Sequence, residues 1–431
     1  MTPSARLASA IEILGLLETS RRPVALVLKD WGQSHRFAGS KDRTAIASFV
    51  YDALRVKSSA SWIMGADDVR SMMLGSLVRL RGMPVAAINA HCTGDKYGPE
   101  VLSDQERARL EAADLEGAPD HVLGDYPQWL SDRMAAAFGD DAVAEGRALA
   151  LRAPVDLRAN LLKTTREKAL AELAHLGAVA TPYSPWGLRI AIDPEGRAPA
   201  LNAEPAIARG HVEIQDEASQ LAALIAGTGN ATQILDLCAG AGGKSLALAA
   251  MLDNKGQIHA TDEDGRRLMP IYDRLTKAGA HNVQVHAPRG KQDVLADLEK
   301  RCDLVLIDAP CTGSGTWRRN PDAKWRVRPG ALEERLKEQQ DVLQSAIRFV
   351  RPGGRLAYIT CSWLRDENED QVSAFLRDHA DFLPLDAAHL AREAGVAELA
   401  SQASGHGAGL RLSPHATGTD GFYIAVMSRT G

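Results

Sequence analysis

Two stripes of apolar side chains recur every three or four residues in the first part of the chain, which is the spacing of one helix face. The first stripe comprises Leu7, Ala10, Ile11, Leu14 and Leu17, and the second comprises Ile46, Phe49, Val50 and Leu54. Before the second stripe, Ser40 is the predicted N-cap and Asp42 lies in the first turn, where the helix dipole favours a carboxylate. No strand-like alternation precedes residue 150, so an all-helical domain is predicted.

Strand-like alternation begins after Arg152–Pro154. The pattern predicts a strand over Val155–Leu161, a helix over Arg166–Leu176 and a strand over Gly187–Ile192, the outline of a small α+β module. From Val212 onward, short apolar runs alternate with helix-length segments, as in a doubly wound parallel sheet. These runs are Gln233–Leu237, Gly256–Thr261, Val283–His286, Leu304–Asp308 and Arg355–Thr360.

Length and composition are compatible with these three parts. The 431 residues are about three times the length of an average domain, and 45% hydrophobic with 24% charged residues is ordinary for a globular protein. No apolar run reaches the roughly 18 residues needed to cross a bilayer, and the N-terminus does not resemble a secretory signal. Five cysteines do not describe a disulfide framework, so a cytoplasmic protein without membrane contact is expected.

Charge is unevenly distributed along the chain. The net charge is −5, but residues 1–81 carry 12 Lys/Arg and 7 Asp/Glu (+5), and residues 95–145 carry 4 and 13 (−9). A basic segment followed by an acidic one is compatible with a nucleic-acid-facing domain and a solvated spacer, or with two differently charged solvated faces. Any polyanion must therefore be bound by a local basic surface.

A glycine-rich stretch follows the first of the C-terminal strand-like runs. Its residues are Cys238, Ala239, Gly240, Ala241, Gly242, Gly243 and Lys244. A strand, a glycine turn and a helix opening together bring backbone amides close to a ligand. The spacing matches neither the dinucleotide nor the phosphate-loop pattern. It resembles the first loop of class I methyltransferases, which bind S-adenosylmethionine, although such a loop can also bind another nucleotide or only turn the chain.

Three further residues fall at predicted strand ends. Asp262 lies about 20 residues past the glycines, where an acidic side chain can bind ribose hydroxyls. Cys311, in Asp308-Ala309-Pro310-Cys311, and Cys361, in Thr360-Cys361-Ser362, follow two other strands. The carboxyl ends of parallel strands form the ligand-binding edge of a doubly wound sheet, so both thiols are expected there.

These motifs together resemble those of the RNA cytosine-5 methyltransferases, in particular the bacterial RsmB-type 16S ribosomal RNA enzymes (the Fmu/Sun group). The resemblance covers the C-terminal half and extends more weakly to the N-terminus. Supporting stretches are Gly39–Arg43, Tyr51–Arg55, Tyr126–Leu130, Ala153–Asn160, Gln215–Gln220, Arg318–Asp322, Lys324-Trp325, Glu367–Glu369 and Asp420–Tyr423. It implies a NusB-like helical domain with its linker over 1–145, a small α+β RNA-binding module over 146–211 and a Rossmann-like S-adenosylmethionine-dependent methyltransferase domain over 212–431.

The resemblance also implies the chemical roles. Cys361 would be the nucleophile that adds to carbon 6 of cytosine, and Cys311 would help to remove the proton from carbon 5. Asp308 would bind the ring nitrogen and amino group of the base and belong to the cofactor site as well. Lys244 would orient the loop or the base. The expected partner is RNA, and neither a metal nor a second copy of the chain is expected.

A basic segment after Cys311 is the predicted RNA contact. Residues 317–328 interleave five basic residues with two tryptophans. Arginines can hold phosphates while an aromatic ring stacks on an unpaired base, although an exposed helix with inward tryptophans would give the same pattern. The predicted RNA-binding residues are Arg318, Arg319, Lys324, Trp325 and Arg326.

The sequence departs from the family pattern twice. The loop reads Cys-Ala-Gly-Ala-Gly-Gly-Lys where Cys-Ala-Ala-Pro-Gly-Gly-Lys is usual, and Ala287-Pro288 stand where an Asp usually contacts the adenine amino group. The missing Asp leaves a non-catalytic ribosome-assembly factor as an alternative, and a transfer RNA methyltransferase is the alternative within the family. A DNA cytosine methyltransferase is disfavoured, because such enzymes use the Pro-Cys cysteine as the nucleophile and do not need a Thr-Cys motif.

Overall fold

The computed structural model describes residues 1–20, 22–192, 199–290, 292–403 and 405–431. They form two compact units: Met1–Arg152 with Trp317–Val327, and Ala153–Ile192 with 199–316 and Arg328–Gly431. The predicted boundaries at residues 145 and 211 stay predictions. In the described part of the chain, no helix is both long enough and apolar enough to cross a membrane.

The first unit is helical, as the apolar stripes predict. Its helices through residue 150 are α1 Pro3–Thr19, α2 Val24–Ser34, α3 Ser40–Arg55, α4 Lys57–Met64, α5 Val69–Arg79, α6 Val85–His91, α7 Asp104–Ala112, α8 Asp120–Leu123, α9 Ser131–Phe138 and α10 Ala142–Ala150. Ile13, rather than Ile11, is fully buried on α1. The predicted N-cap is wrong by one residue, because Ser40 is already helical and Asp42 accepts the amide of Gly39, the actual N-cap, at 3.3 Å. A NusB-like topology for this unit stays a prediction.

The second unit contains two sheets. The smaller, with strand order β2-β3-β1-β4, consists of β1 Val155–Ala159, β2 Val179–Ala180, β3 Gly187–Ile190 and β4 Val212–Ile214, all antiparallel. The predicted α+β module is thus present, and its sheet includes β4, beyond residue 211. The larger sheet, with order β10-β12-β9-β8-β5-β6-β7, consists of β5 Gln233–Asp236, β6 Gln257–Ala260, β7 Val283–Val285, β8 Cys302–Asp308, β9 Val350–Thr360, β10 Phe382–Pro384 and β12 Phe422–Arg429, and β11 Gly409–Leu412 pairs with β12.

The larger sheet confirms the Rossmann-like prediction. Strands β5 to β9 are parallel, and β12 joins the β9 edge in antiparallel orientation. The helices after residue 150 are α11 Arg166–Glu172, α12 Pro205–Ala208, α13 Glu217–Ala226, α14 Gly243–Met251, α15 Gly265–Leu268, α16 Ile271–Ala278, α17 Pro321–Arg326, α18 Pro329–Ala346, α19 Glu369–Asp378, α20 Ala387–Glu393 and α21 Pro414–Thr417. Of these, α17 belongs to the first unit.

Alternate residues of the larger sheet enter two separate cores. On β8, Leu304 and Leu306 belong to one hydrophobic cluster, whereas Val305 and Ile307 belong to another. Both faces of the strand are therefore covered, which explains why its sequence is a continuous apolar run rather than an alternating one. Burial on both faces leaves the carboxyl ends of the strands as the place for polar chemistry.

Candidate active site

The glycine-rich loop connects β5 to α14 at the carboxyl edge of the parallel strands. Gly240 and Gly242 have φ of +50° and +82°, the left-handed region that glycine adopts most easily. A Cβ on Gly242 would lie 2.5 Å from a carbon of Ile271, so no larger residue fits there. A Cβ on Gly240 would lie at least 3.7 Å from every atom outside the two neighbouring residues, so this stretch of backbone is open to a ligand.

Asp262 ties the loop to the end of β6. Its two carboxylate oxygens accept the amides of Gly240 at 2.9 Å and Asp264 at 3.0 Å, and the side chain is only 3% exposed. The amide of Ala239 donates to the carbonyl of Thr261 at 2.8 Å. Asp262 therefore lies at the predicted strand tip, beside the open backbone of Gly240, and its role toward ribose stays a prediction.

Lys244 and Asp308 form an ion pair across the strand ends. The Nζ atom of Lys244 lies 2.6 Å from Oδ2 of Asp308, and it lies 5.4 Å from the centroid of the Phe422 ring. The lysine side chain is 5% exposed and the aspartate 38%. The carboxylate is consequently the member of the pair that a substrate can reach, while the lysine fixes its position.

The two predicted cysteines meet at the ends of adjacent strands. Cys311 follows β8 and Cys361 follows β9, and the parallel pairing of these strands brings the two Sγ atoms to 3.4 Å. The hydrogen bond to Cys361 and burial raise the pKa of Cys311 well above its ordinary value. Cys311 therefore retains its proton, and either sulfur can donate to the other across this contact.

Glu367 and Asn368 hold the segments that carry both cysteines. The Glu367 carboxylate accepts the amide of Thr312 at 2.8 Å and its hydroxyl at 2.6 Å, and burial raises the pKa of Glu367. Asn368 accepts the Thr360 hydroxyl at 2.5 Å and donates to the carbonyl of Ser362 at 2.9 Å. Adjacent residues thus fix the loop after Cys311 and the loop around Cys361, so the sulfur–sulfur distance is set by a common support.

A pair of histidines occupies the end of the sheet where the family pattern has a carboxylate. Nδ1 of His259 lies 2.9 Å from Nε2 of His286, whose Nδ1 lies 3.1 Å from the carbonyl of Val294. His286 must donate to that carbonyl, so His259 donates to His286. Burial and the neighbouring ring lower the pKa of His259 to about 4. Both ring nitrogens of His286 are therefore engaged within the protein, so His286 has no acceptor left for an adenine amino group.

The loop geometry fits S-adenosylmethionine. An open glycine backbone, a carboxylate at the next strand end and the N-terminus of α14 are the features by which such a fold binds a nucleoside ligand. The residues that would hold it are those of the loop, 238–244, together with Asp262 and Asp308. Burial raises the pKa of Cys238 well above its usual value, so that thiol contributes as a neutral group.

Comparison with known families agrees with this geometry. Residues 223–428 match the family model described as 16S rRNA methyltransferase RsmB/F, and residues 126–193 match the ferredoxin-like domain of RsmF/B-like methyltransferases. Ribosomal RNA small subunit methyltransferase B from Sodalis glossinidius is 33% identical over 76% of this chain and 69% of its own length. The probable enzyme of that name from Synechocystis is 31% identical over 81% of this chain and 77% of its own length.

The chain belongs to the RsmB/F methyltransferase family. A solved structure, that of PH0851, shares the fold with a TM-score of 0.71 and 24% identity, covering 100% of this chain and 99% of the other. NSun6 from Pyrococcus horikoshii, solved with SFG, has a TM-score of 0.59 and 22% identity over 72% of this chain and all of its own. The sequence resemblance and the Rossmann-like fold are thereby confirmed.

Two of the residues predicted to bind RNA have a different role in this RsmB/F family member. The Nζ atom of Lys324 donates to the carbonyl of Arg55 at 2.9 Å, and the indole of Trp325 donates to the carbonyl of Leu54 at 2.6 Å. Lys324 is 1% exposed. Packing of α17 into the helical unit therefore removes the Lys324 ammonium from solvent, and RNA contact by the partly buried Trp325 stays a prediction.

The arginines of the same segment differ in accessibility. Arg318 is 5% exposed, so little of its side chain can reach a phosphate. Arg319 is half-buried, and the exposed Arg326 pairs with Asp322 at 3.0 Å. RNA contact by these three arginines stays a prediction.

Several residues of the RsmB/F site escaped the sequence reasoning. Glu367 and Asn368 were noted only as part of the family resemblance. The hydrogen bonds of Glu367 to Thr312 span 55 positions and depend on the complete fold, whereas those of Asn368 are to residues within 8 positions of it. Arg158 and Arg274, which donate to carbonyls of the glycine loop, gave no signal of that role. The available clue was the alternation of Asp156, Arg158 and Asn160 in a strand, a pattern that equally describes a solvated face.

Proposed function

We propose that this protein transfers a methyl group from S-adenosylmethionine to carbon 5 of a cytosine in RNA, with 16S ribosomal RNA as the substrate. The observation that carries the proposal is the 3.4 Å approach of the Cys311 and Cys361 sulfurs beside the glycine loop. The curated relatives are named for methylation of small-subunit ribosomal RNA, which supports the choice of substrate.

Paired cysteines suit this reaction because carbon 5 of cytosine is a poor nucleophile. Addition of the Cys361 thiolate to carbon 6 places electron density on carbon 5, and the enzyme–base bond is released later. Asp308, held by Lys244 and exposed on its other side, is suited to hydrogen-bond the edge of the base during the addition. S-adenosylmethionine, when bound, supplies the methyl group.

Cys311 is assigned to the second half of the reaction. The proton on carbon 5 must leave, the electrons of that C–H bond re-form the double bond, and the sulfur of Cys361 departs from carbon 6. Cys311 must first lose its own proton to water, and because its pKa is raised, the thiolate that results is a strong base that can accept the carbon 5 proton. The loop held by Glu367 keeps Cys311 close to the bond that breaks.

Substitution of the two cysteines tests the proposal. With 16S ribosomal RNA and S-adenosylmethionine, Cys361→Ala should give neither methylated product nor covalent complex. Cys311→Ala should accumulate a protein–RNA complex that survives a denaturing gel, because addition proceeds and release does not. Cys302→Ala is the control, since that buried cysteine lies at the opposite end of β8 and should leave both readouts unchanged.

Bisulfite sequencing decides the position and the RNA. The RNA of a deletion strain should lack one 5-methylcytosine in 16S ribosomal RNA that its parent carries. A methyl mark missing from transfer RNA instead would contradict the proposed substrate. A covalent complex formed by Cys361→Ala but not by Cys311→Ala would contradict the roles assigned to the two cysteines.

A further inference from the structure

We propose that Arg158, on the smaller sheet, is a positioning residue of the cofactor site that acts with Arg274 by holding the carbonyls of the glycine loop. Nη1 of Arg158 donates to the carbonyl of Gly243 at 2.9 Å, and Nη1 of Arg274 donates to the carbonyl of Ala241 at 2.6 Å. This inference rests on the proposed function in one respect, that S-adenosylmethionine binds this loop.

The orientation of the loop amides depends on these carbonyls. In a trans peptide the C=O and N–H bonds point in opposite directions, so fixing one fixes the other. The Gly243 carbonyl determines where the amide of Lys244 points. The Ala241 carbonyl does the same for the amide of Gly242, which donates to the carbonyl of Ala239 at 2.8 Å and closes the turn. Because glycine has no strong conformational preference, a loop with Gly240, Gly242 and Gly243 needs such external constraints to hold this turn and to present the amide of Lys244 to a ligand.

Glu213 pairs with Arg274 and faces Arg158 across neighbouring strands. It is the register partner of Arg158 on β4, and its Oε2 accepts Nη2 of Arg274 at 2.9 Å. Arg158 and Glu213 are both buried. The smaller sheet thus supplies one arginine and the carboxylate, and α16 supplies the other arginine.

Burial makes a space-filling role for Arg158 unattractive. An enclosed guanidinium carries a large desolvation penalty, and burial lowers the pKa of Arg158 to about 10. A methionine would fill similar volume without that penalty, but it could not donate to the Gly243 carbonyl. The same peptide leads directly into Lys244, whose ammonium holds Asp308, so the position of Arg158 also bears on the base-contacting carboxylate.

Calorimetric titration of the free, full-length protein with S-adenosylmethionine tests the inference, because it needs neither RNA nor the reaction of Cys311 and Cys361. Arg158→Gln should raise the Kd by roughly tenfold or more, the scale of losing a hydrogen bond from a charged donor. Arg158→Lys should recover part of the loss. Asp262→Ala, which removes the predicted ribose ligand, provides the reference for a damaged cofactor site.

Arg189→Gln is the matched control. Arg189 lies on β3 of the same sheet and pairs with Asp156 through bonds of 2.7 and 2.8 Å, but it makes no hydrogen bond to the loop. Arg189→Gln should lower the melting temperature and leave the Kd for S-adenosylmethionine within about twofold. If Arg158 had only a structural role, Arg158→Gln would give this same result. Unchanged affinity in Arg158→Gln therefore overturns the inference.

Two further outcomes separate the possible failures. If Arg158→Gln does not fold, Arg274→Gln replaces it, since that side chain is 24% exposed, and unchanged affinity in that variant overturns the inference as well. If the wild-type protein itself does not bind S-adenosylmethionine, the proposed function fails and the inference fails with it. If the wild type binds S-adenosylmethionine and both arginine variants bind it equally well, the inference is rejected and the proposed function stands.

Discussion

At the scale of single residues, the site contains ionisable side chains that burial keeps uncharged. Cys311 stays protonated beside Cys361, and His259 stays neutral beside His286. In both cases removal from water disfavours the charged form, and a neighbouring side chain adds to the effect. Local environment, rather than residue type alone, therefore keeps the Cys311 thiol and the His259 ring neutral near pH 7.

His259 predicts a specific dependence of stability on pH. Its pKa falls from 6.5 to about 4 on folding, so between these values the unfolded chain binds a proton that the folded chain does not. The free energy of unfolding should consequently decrease as the pH falls from 6.5 to 4, and His259 should contribute on the order of 1–3 kcal/mol to that decrease.

Substitution isolates this contribution. His259→Asn retains a donor toward His286 but cannot titrate, so urea unfolding at pH 7.5 and at pH 5 should show a smaller difference than in the wild type. His281→Asn, at an exposed position, is the control and should keep the wild-type difference. An equal pH dependence in all three proteins would show that His259 is not the titrating group.

At the scale of elements, the catalytic edge is assembled from loops that follow β8 and β9 and precede β12. The amide of Gly315 donates to the carbonyl of Cys361 at 3.0 Å, and the amide of Gly421 donates to the carbonyl of Gly315 at 2.8 Å. Three loops distant in sequence are thus joined by main-chain bonds. Such a junction leaves no room for side chains at the crossing.

Gly315→Ala should therefore disturb the site. A Cβ there would lie 2.0 Å from the carbonyl oxygen of Gly421, which is backbone and cannot move without shifting β12. The expected cost is about 1–3 kcal/mol of unfolding free energy, the usual range for overpacking, and slower formation of the covalent complex. Urea unfolding and a denaturing gel measure the two effects.

The control for this substitution is Gly330→Ala. Gly330 lies in the first turn of α18 and a Cβ there would meet no atom within 4 Å, so the change should be neutral or stabilise the protein by up to about 1 kcal/mol. Equal stability of Gly315→Ala and the wild type would mean that the loops can separate without loss.

At the scale of the whole molecule, an acidic protein must hold a polyanion through local patches. The net charge is −5, and the exposed basic side chains near the catalytic sequence include Arg326 and Arg328. Because each phosphate contact releases about 0.7 counterion from single-stranded RNA, a local patch determines the salt dependence of binding even when the overall charge is negative.

The triple variant Arg319→Ala, Arg326→Ala, Arg328→Ala should weaken RNA binding and flatten its salt dependence. Losing three contacts should make the log–log slope less negative by about 2, while S-adenosylmethionine affinity stays unchanged. Titrations at several salt concentrations measure the slope. Lys29→Ala with Lys41→Ala, on exposed positions of the helical unit, shows whether the N-terminal basic segment contributes instead.

The sequence alone determined the parts of this protein that depend on local patterns and short motifs. Helical periodicity predicted the first unit, and apolar runs predicted the parallel strands β5 to β9. The loop 238–244 and the two cysteine motifs were recognisable because each combines a strand end with a few specific residues. The short edge strands β10 and β11 and the antiparallel β12 were not predicted, since their pairing is with partners distant in sequence.

Tertiary structure decided which polar residues face solvent and which serve the site. The sequence around Lys324 and Trp325 predicts an exposed basic and aromatic segment. Packing of α17 instead buries the lysine, and both side chains donate hydrogen bonds to carbonyls at the end of α3. Arg158 lies in a predicted strand with no sequence signal for its role, but in the folded protein its guanidinium donates to the carbonyl of Gly243 in the glycine loop. The sequence pattern shows which side chains are polar and on which face of an element they lie. Only the complete fold determines whether such a side chain bonds to water or to a carbonyl distant in sequence.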